Sequence, residues 1–468
     1  MIKTRSFGKR TDAPSLLQQP AVALLPWGNV LEDFLDTIGV SLEDFCTEFR
    51  GSWMFGYVDA LRQVGVRTVL ICISARVSAP SRFIHGPTGA TICVLPVPRS
   101  YRLIRSRMMN PYGRNVKQTF GDLGGVRAWL PLFAMSHEVA LYLTTPLKLL
   151  ARELRREGCS AVLCQEYEYP RFDACVLLGR LMGLPVFATF QGGNYQRNHI
   201  EGFLRPHAVR ACAGLIIGTR SEARRVQARY GLAAEKITRI FNPIDVESWT
   251  PFDRNTARDA LAIPHAAKVV VWHGRISIQQ KGLDVLLDAW KKICSDRTSQ
   301  DLRLLLVGTG KDAEKLRQRI TSMHLTGILW IDRFVHERET VRRYLSAGDV
   351  YAFPSRHEGF SVAPIEAMAC GRPVVAADAP GIPDILEGGE ASGGLIVPQE
   401  DSNQLALAIG GLLDDERRAR ALGVSARRRT QAYFSLQAVG KQLRAVLLKG
   451  QQRDDEKITE PNLAPCDT

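Results

Sequence analysis

Two carboxylates eight positions apart stand in the run Pro354-Ser355-Arg356-His357-Glu358-Gly359-Phe360-Ser361-Val362-Ala363-Pro364-Ile365-Glu366. The run follows a short apolar strand, Val350–Phe353, and Pro364 suits the first position of a helix, where its missing N–H would be unpaired in any case. The backbone N–H groups of Phe360, Ser361, Val362 and Ala363 then converge on the positive end of that helix, an anion site built from backbone. Gly359 removes side-chain bulk where a phosphate would approach. Glu358, ahead of the helix, and Glu366, about one turn in, both reach the crevice at the carboxyl end of the strand, where α/β sheets bind ligands. Upstream, the strand Val269–His273 runs into Gly274-Arg275, and Lys281-Gly282 opens the helix Leu283–Ile293. Arg275 offers a planar fork and Lys281 a point charge, together suited to a diphosphate. For a diphosphate leaving group, stabilising the developing charge is the main task of the protein.

Other chemistries fit less well. Gly308-Thr309-Gly310-Lys311-Asp312-Ala313 matches a dinucleotide fingerprint, with Asp332 about 20 residues on. A strand and a helix precede it, whereas a nicotinamide enzyme places that turn in the first unit of its domain. A P-loop is excluded because Asp312 follows Lys311. His137, His199, His207, His324 and His336 show no metal-ligand spacing.

The elements that must hold these groups read as α/β. Apolar runs at Ala21–Leu25, Thr68–Ser74, Ala161–Cys164, Val186–Thr189, Leu215–Thr219, Val269–His273, Leu302–Val307, Val350–Phe353 and Val374–Ala377 alternate with helix-period segments, the pattern of parallel sheets covered on both faces. Nine strands suit two doubly wound sheets, with a seam at Phe241-Asn242-Pro243-Ile244-Asp245. A length of 468 residues agrees with two to three domains, and 45% apolar with 23% charged residues is an ordinary globular composition. The formal charge of +13 favours an anionic partner. Ten cysteines without C-x-x-C spacing predict a reducing compartment. The basic, polar N-terminus lacks the apolar core of a signal peptide, and His137-Glu138 interrupt the most apolar stretch, Leu130–Leu147. A cytoplasmic protein without a membrane span is expected.

His273-Gly274-Arg275 with Lys281-Gly282, the Leu304-Leu305-Leu306-Val307-Gly308-Thr309-Gly310 strand and turn, the Glu358/Glu366 pair and Ala367-Met368-Ala369-Cys370-Gly371-Arg372-Pro373-Val374-Val375 together resemble retaining glycosyltransferases of family 4, most strongly over about 240–435. The resemblance implies a GT-B fold, two Rossmann-like doubly wound domains facing a central cleft. The chain would divide into an extension (1–20), an acceptor-side domain (21–243), a donor-nucleotide domain (244–425), helices crossing back (426–449) and a polar, disordered tail (450–468). It further implies that Arg275 and Lys281 neutralise the donor diphosphate, that Glu358 holds donor-sugar hydroxyls and that Glu366 accepts from the ribose. Gly274, Gly359 and the amides of Phe360, Ser361 and Val362 would line the phosphates, with Phe334 and Val335 at the base. Gly51-Ser52 resembles the glycine pair that opens the family's first helix. Gln191-Gly192 stands where many members carry an acceptor-facing histidine, and glutamine cannot act as a general base. The implied reaction is metal-independent transfer with retention, from a nucleoside-diphosphate sugar to a glycan, a lipid-linked acceptor or a small molecule. No cofactor is expected, and the chain contains no D-x-D.

Two segments stand apart from that pattern. Residues 29–49 carry six acids and no Lys or Arg, which reads as an acidic helical insertion with a solvated face. Residues 101–133 interleave Arg102, Arg105, Arg107, Arg114 and Lys117 with Ile104, Met108, Met109, Phe120 and Trp129. Such a mixture docks on an anionic membrane surface or forms a loop with one buried side. Nucleic-acid reading motifs are missing. Two other functions suit the same architecture: a sugar-nucleotide epimerase or phosphorylase, and a catalytically silent scaffold subunit.

Overall fold

The computed structural model describes residues 19–49, 52–122, 129–192, 199–335, 337–358 and 360–449. Gly51, Gly359, Arg127, most of the N-terminal extension and the C-terminal tail lie outside the described residues, as do the side chains of Ser52 and Trp53.

The first sheet contains β1 (Ala21–Leu25), β2 (Arg67–Ser74), β3 (Ser81–Ile84), β4 (Thr91–Pro96), β5 (Cys159–Cys164), β6 (Val186–Thr189), β7 (Gly214–Ile216) and β8 (Ile237–Thr238), in the order β3-β4-β2-β1-β5-β6-β7-β8. All its pairings are parallel except β3 with β4. The second sheet is parallel throughout: β9 (Lys268–His273), β10 (Leu302–Val307), β11 (Ile328–Ile331), β12 (Val350–Phe353), β13 (Val374–Ala377) and β14 (Gly394–Val397), in the order β11-β10-β9-β12-β13-β14. In each sheet the chain starts at a central strand, winds outward on one side and returns to the other. The direction therefore reverses beside β1 in the first domain (β1 against β5) and beside β9 in the second (β9 against β12). These switch points open a crevice at the strands' carboxyl ends.

Central strands are continuous apolar runs because both faces are covered. Val22 and Leu24 join the core on one face of the first sheet, and Ala21, Ala23 and Leu25 join the core on the other. The second sheet splits in the same way, with Val269 and Val271 on one face and Val270 and Trp272 on the other. Strands β3, β4, β8, β11 and β14 add to the nine apolar runs. Of these β4 is almost wholly buried, yet the Gly- and Pro-rich residues before it interrupt the alternation that marks its neighbours.

The final helix, Leu436–Leu447, lies along the helix Ser52–Gln63 of the first domain. Val439, Leu443 and Leu447 are buried there, and Gly440 is required because a Cβ would strike the Ala60 carbonyl. Where the chain passes between domains, the Ile244 N–H donates to the Phe434 carbonyl at 2.8 Å.

The acidic segment presents a solvated helix face only in its second half, where Glu43, Asp44 and Glu48 are exposed. It forms a π-helical turn, Val30–Leu35, and a short helix, Leu42–Thr47, that bury Val30, Leu31, Leu35, Phe45 and Cys46. Three of its acids are tied into the fold. Glu32 accepts from the Ser74 hydroxyl at 2.9 Å and the Ala75 N–H at 2.8 Å, Asp33 accepts from the Asn29 N–H at 2.6 Å and from the Tyr112 hydroxyl, and Asp36 pairs with Arg76. Apolar residues between the acids pull the segment onto the sheet, and the Glu32 carboxylate satisfies backbone just past the end of β2. Among the described residues no helix is long and apolar enough to cross a membrane.

Candidate active site

Glycine builds the floor of the second crevice. Gly274 (φ +150°) and Gly308 (φ +133°) end the adjacent strands β9 and β10, and a Cβ on Gly308 would collide with the Gly274 carbonyl. A Cβ on Gly310 would strike the Ile276 carbonyl. The dinucleotide-like spacing of Gly308 and Gly310 is thus accounted for by one strand-end turn nesting on the next. Gly282 (φ +62°) likewise abuts the Pro354 carbonyl, which brings the Lys281 turn against the end of β12.

On this floor the structure assembles two pairs of charged and hydrogen-bonding groups across the switch point. Lys281 Nζ donates to Glu358 Oε1 at 2.5 Å, with both side chains largely buried. His273, the last residue of β9, places Nε2 2.9 Å from Glu366 Oε2. Facing a carboxylate, that nitrogen is the donor. The Glu366 side chain is about one-fifth exposed. The helix that carries Glu366 is Ala363–Ala369, one residue earlier than its sequence signal, so Pro364 is the second helical residue. The Tyr351 hydroxyl reaches the His273 carbonyl at 3.4 Å, and burial raises its pKa well above the usual range.

The remaining expected donor residues are placed as follows. Arg275 is exposed and makes no ion pair among the described residues. Ser361 is half-buried and Val362 exposed, with Val362 already in helical conformation as the N-cap. Phe360 has a further role, since its ring stacks on Phe241 at 5.3 Å and packs near Phe434; it belongs to the joint between domains as well as to the crevice. Phe334, 69% exposed, and Val335, half-buried, follow β11. That strand is two positions from β9.

Two residues not singled out in the sequence organise this crevice. His273 orients Glu366. Arg356 ties the Glu358 loop to the Lys281 turn: its N–H donates to the Gln280 carbonyl at 3.0 Å, and Nη1 donates to the Gln279 carbonyl at 2.9 Å. The same guanidinium grips both oxygens of Asp284 at 2.8 Å and pairs with Glu400. An isolated arginine in a loop has no sequence signal for such a hub, because its partners lie more than forty positions away.

In the first domain Gln191 does not present a free amide to the cleft. It exchanges hydrogen bonds with Asn242 at 3.2 and 2.9 Å, and its N–H donates to Glu166 at 3.2 Å. The buried Tyr57 hydroxyl also bonds it. Gln191 therefore clasps the first domain to the interdomain turn. Gly192 is exposed with φ +105°. Gln191→Ala is expected to lower stability by about 1 kcal/mol through loss of the Asn242 exchange, measured by urea unfolding.

The switch point of that domain is instead lined by Trp27-Gly28-Asn29 and the segment after β5. Trp27 N–H donates to Gln165 at 2.6 Å, and Arg171 donates to the Pro26 and Gly28 carbonyls at 2.6 and 2.7 Å. Trp27 stacks on Tyr112 with centroids 4.8 Å apart and lies 5.8 Å from Tyr169. Desolvation raises the Asp33 pKa above the usual carboxylate value. The signal for this site was the end of the first strand, Pro26-Trp27-Gly28-Asn29.

With the geometry established, likeness to known proteins defines the class. The chain has the GT-B fold. Sucrose-phosphate synthase from Thermosynechococcus elongatus superposes with a TM-score of 0.59 at 20% identity, over 94% of this chain and 100% of that one. HepE of Anabaena in complex with UDP gives 0.65 at 15% identity, over 92% and 100%. Residues 267–415 match the family described as "Glycosyl transferases group 1", and residues 112–248 match "Glycosyltransferase Family 4". The D-inositol 3-phosphate glycosyltransferase of Jonesia denitrificans is 31% identical over 236 residues, 48% of this chain and 54% of that protein. The lipopolysaccharide core biosynthesis mannosyltransferase LpsB of Rhizobium meliloti is 30% identical over 213 residues, 45% and 60% respectively. The chain thus spans little more than half the length of these relatives.

Proposed function

We propose that this protein is a glycosyltransferase that moves a sugar from a nucleoside diphosphate to a glycan, lipid-linked or small-molecule acceptor, with retention of configuration and without a metal ion. The observation that carries this reading is the pairing of Lys281 with Glu358 and of His273 with Glu366 on either side of the β9/β12 switch point. The glycosyltransferase families matched by both halves of the chain support it.

In this reading a donor diphosphate enters beside Lys281 and Arg275 and competes with Glu358 for the ammonium. Glu358, released from part of that pair, accepts from hydroxyls of the donor sugar. Glu366, held by His273, offers Oε1 to the ribose. As the bond from the anomeric carbon to the diphosphate oxygen breaks, charge grows on the diphosphate, and two cations aimed at it stabilise that charge more than the ground state. The acceptor hydroxyl attacks from the same face and its proton passes to the departing diphosphate, since Gln191 can take no proton.

A thermal-shift panel of uridine, guanosine and adenosine diphosphate sugars tests the donor site. A ligand at a hundred times its Kd should add about 2.7 kcal/mol of stability and raise Tm by several degrees. No shift with any of the three would overturn the donor assignment.

A further inference from the structure

In the first domain the helices Val116–Phe120, Leu130–Val139 and His199–Ala211 adjoin, and the rest of the basic segment 99–122 joins them where the Met109 N–H donates to the Thr119 carbonyl at 2.8 Å. The helix Leu130–Val139 buries none of its residues and lies against both the short helix Val116–Phe120 and the helix His199–Ala211. Phe133 meets Phe120 edge-on at 5.0 Å, and the Ile200 N–H donates to Glu138 at 3.2 Å. Phe133 and Glu138 thus make the inward contacts, while Leu103, Met109, Trp129, Leu132, Met135 and Phe203 remain exposed, at 71%, 78%, 57%, 44%, 58% and 69%. Monomeric soluble proteins rarely gather so many large apolar side chains on one face without a partner for it.

The charge around these residues selects the partner. Residues 99–122 carry six Lys and Arg against the single Asp122. Asp122 lies 3.8 Å from Lys117, and neither Arg107 nor Arg114 has a carboxylate partner among the described residues. A protein interface of this size would pair such cations with acids; a sheet of phosphates accepts them all while the apolar side chains enter the acyl boundary. We infer that this face docks on an anionic lipid bilayer.

The same segment reaches the cleft. Tyr112, between Arg107 and Arg114, stacks on Trp27 and donates to Asp33 at the first domain's switch point. A bilayer against this face brings its surface to the mouth of the acceptor side. Resting on the proposed function, this narrows the acceptor to a membrane-borne, lipid-linked molecule.

Co-sedimentation of the full chain with vesicles tests docking without any reference to transfer. Vesicles of equal parts phosphatidylglycerol and phosphatidylcholine are expected to retain the protein, and phosphatidylcholine vesicles to leave it in solution. Raising the ionic strength should weaken retention. Arg107→Ser and Arg114→Ser should each weaken it roughly fivefold, the attraction of one cation to an anionic leaflet. Trp129→Ser with Leu132→Ser should weaken it further while the thermal melt stays unchanged. Equal retention on both vesicle types, or loss of retention only together with the melt, overturns the inference. So does a concentration-dependent dimer, seen by sedimentation velocity, that Trp129→Ser dissociates. Because vesicle binding requires no donor, failure of the thermal-shift panel and failure of docking are separate results. Docking followed by equal transfer to a short-chain soluble acceptor and to the same headgroup carried in vesicles would remove the acceptor assignment.

Discussion

Lys281→Ala is expected to lower kcat for sugar transfer by about 10²–10³, the usual loss when one preorganised donor to a developing anion is removed. The reason is geometric. Gly282 lets the Lys281 turn sit against the end of β12, where the ammonium meets Glu358 at 2.5 Å and faces the crevice. A water that replaces the ammonium must reorient as the diphosphate charge grows. Glu358→Ala should produce a loss of similar size by removing the hydroxyl acceptor, and the double variant should lose much less than the product of the two, because the residues act as a unit. Each single change strands a largely buried partner and should lower stability by roughly 3 kcal/mol, so kcat is compared at a temperature where both variants are folded. Retention of near-full kcat in either folded variant would place the chemistry elsewhere.

Arg356→Ala should destabilise the protein by roughly 2–4 kcal/mol, less than the full cost of stranding a buried ion pair because Glu400 is more than half exposed. The guanidinium satisfies Asp284 with two bonds, Glu400 and the Gln279 carbonyl, and its loss leaves partly buried acceptors unpaired. Salt-bridged to Arg356, Asp284 and Glu400 have lowered pKa values. Their contribution is therefore present above the ordinary carboxylate range and is lost as pH falls through the lowered values. The stability difference between wild type and Arg356→Ala, from urea unfolding, should shrink toward acid pH. Arg356→Lys should recover little, since an ammonium cannot grip Asp284 and Glu400 as two planar pairs. An unchanged urea midpoint in Arg356→Ala would show that the loop needs no such tie.

The groups of the second crevice were legible because they are close in sequence to the strand ends that position them. A strand, a polar turn and a capped helix can be read from local apolar runs and breakers, and Glu358, Glu366, Arg275 and Lys281 each sit within a few residues of one. His273 ends an apolar strand that the sequence shows, yet its pairing with Glu366 joins residues 93 positions apart. The engagement of Gln191 was hidden for a related reason. Gln191 ends a strand, as expected, but its amide is consumed by Asn242, a residue of the interdomain turn. The first half of the acidic segment was less legible because its charge outweighed its apolar spacing: Val30, Leu31 and Leu35 bury one side, and Glu32 finds its partners at Ser74 and Ala75, more than forty positions away.

By itself the sequence determined the two largely parallel sheets, the positions of their main strands along the chain and the carboxyl-end turns rich in charge, since periodicity and turn chemistry act over a few residues. Only the tertiary structure decided which charges meet. Strand order placed β9 beside β12 although about eighty residues separate them, and so created the Lys281–Glu358 and His273–Glu366 pairs. It likewise made Gln191 a clasp, Arg356 a hub, and the basic segment a neighbour of the helix Leu130–Val139. Such pairings depend on which strands adjoin, a consequence of packing whole domains that no local pattern encodes.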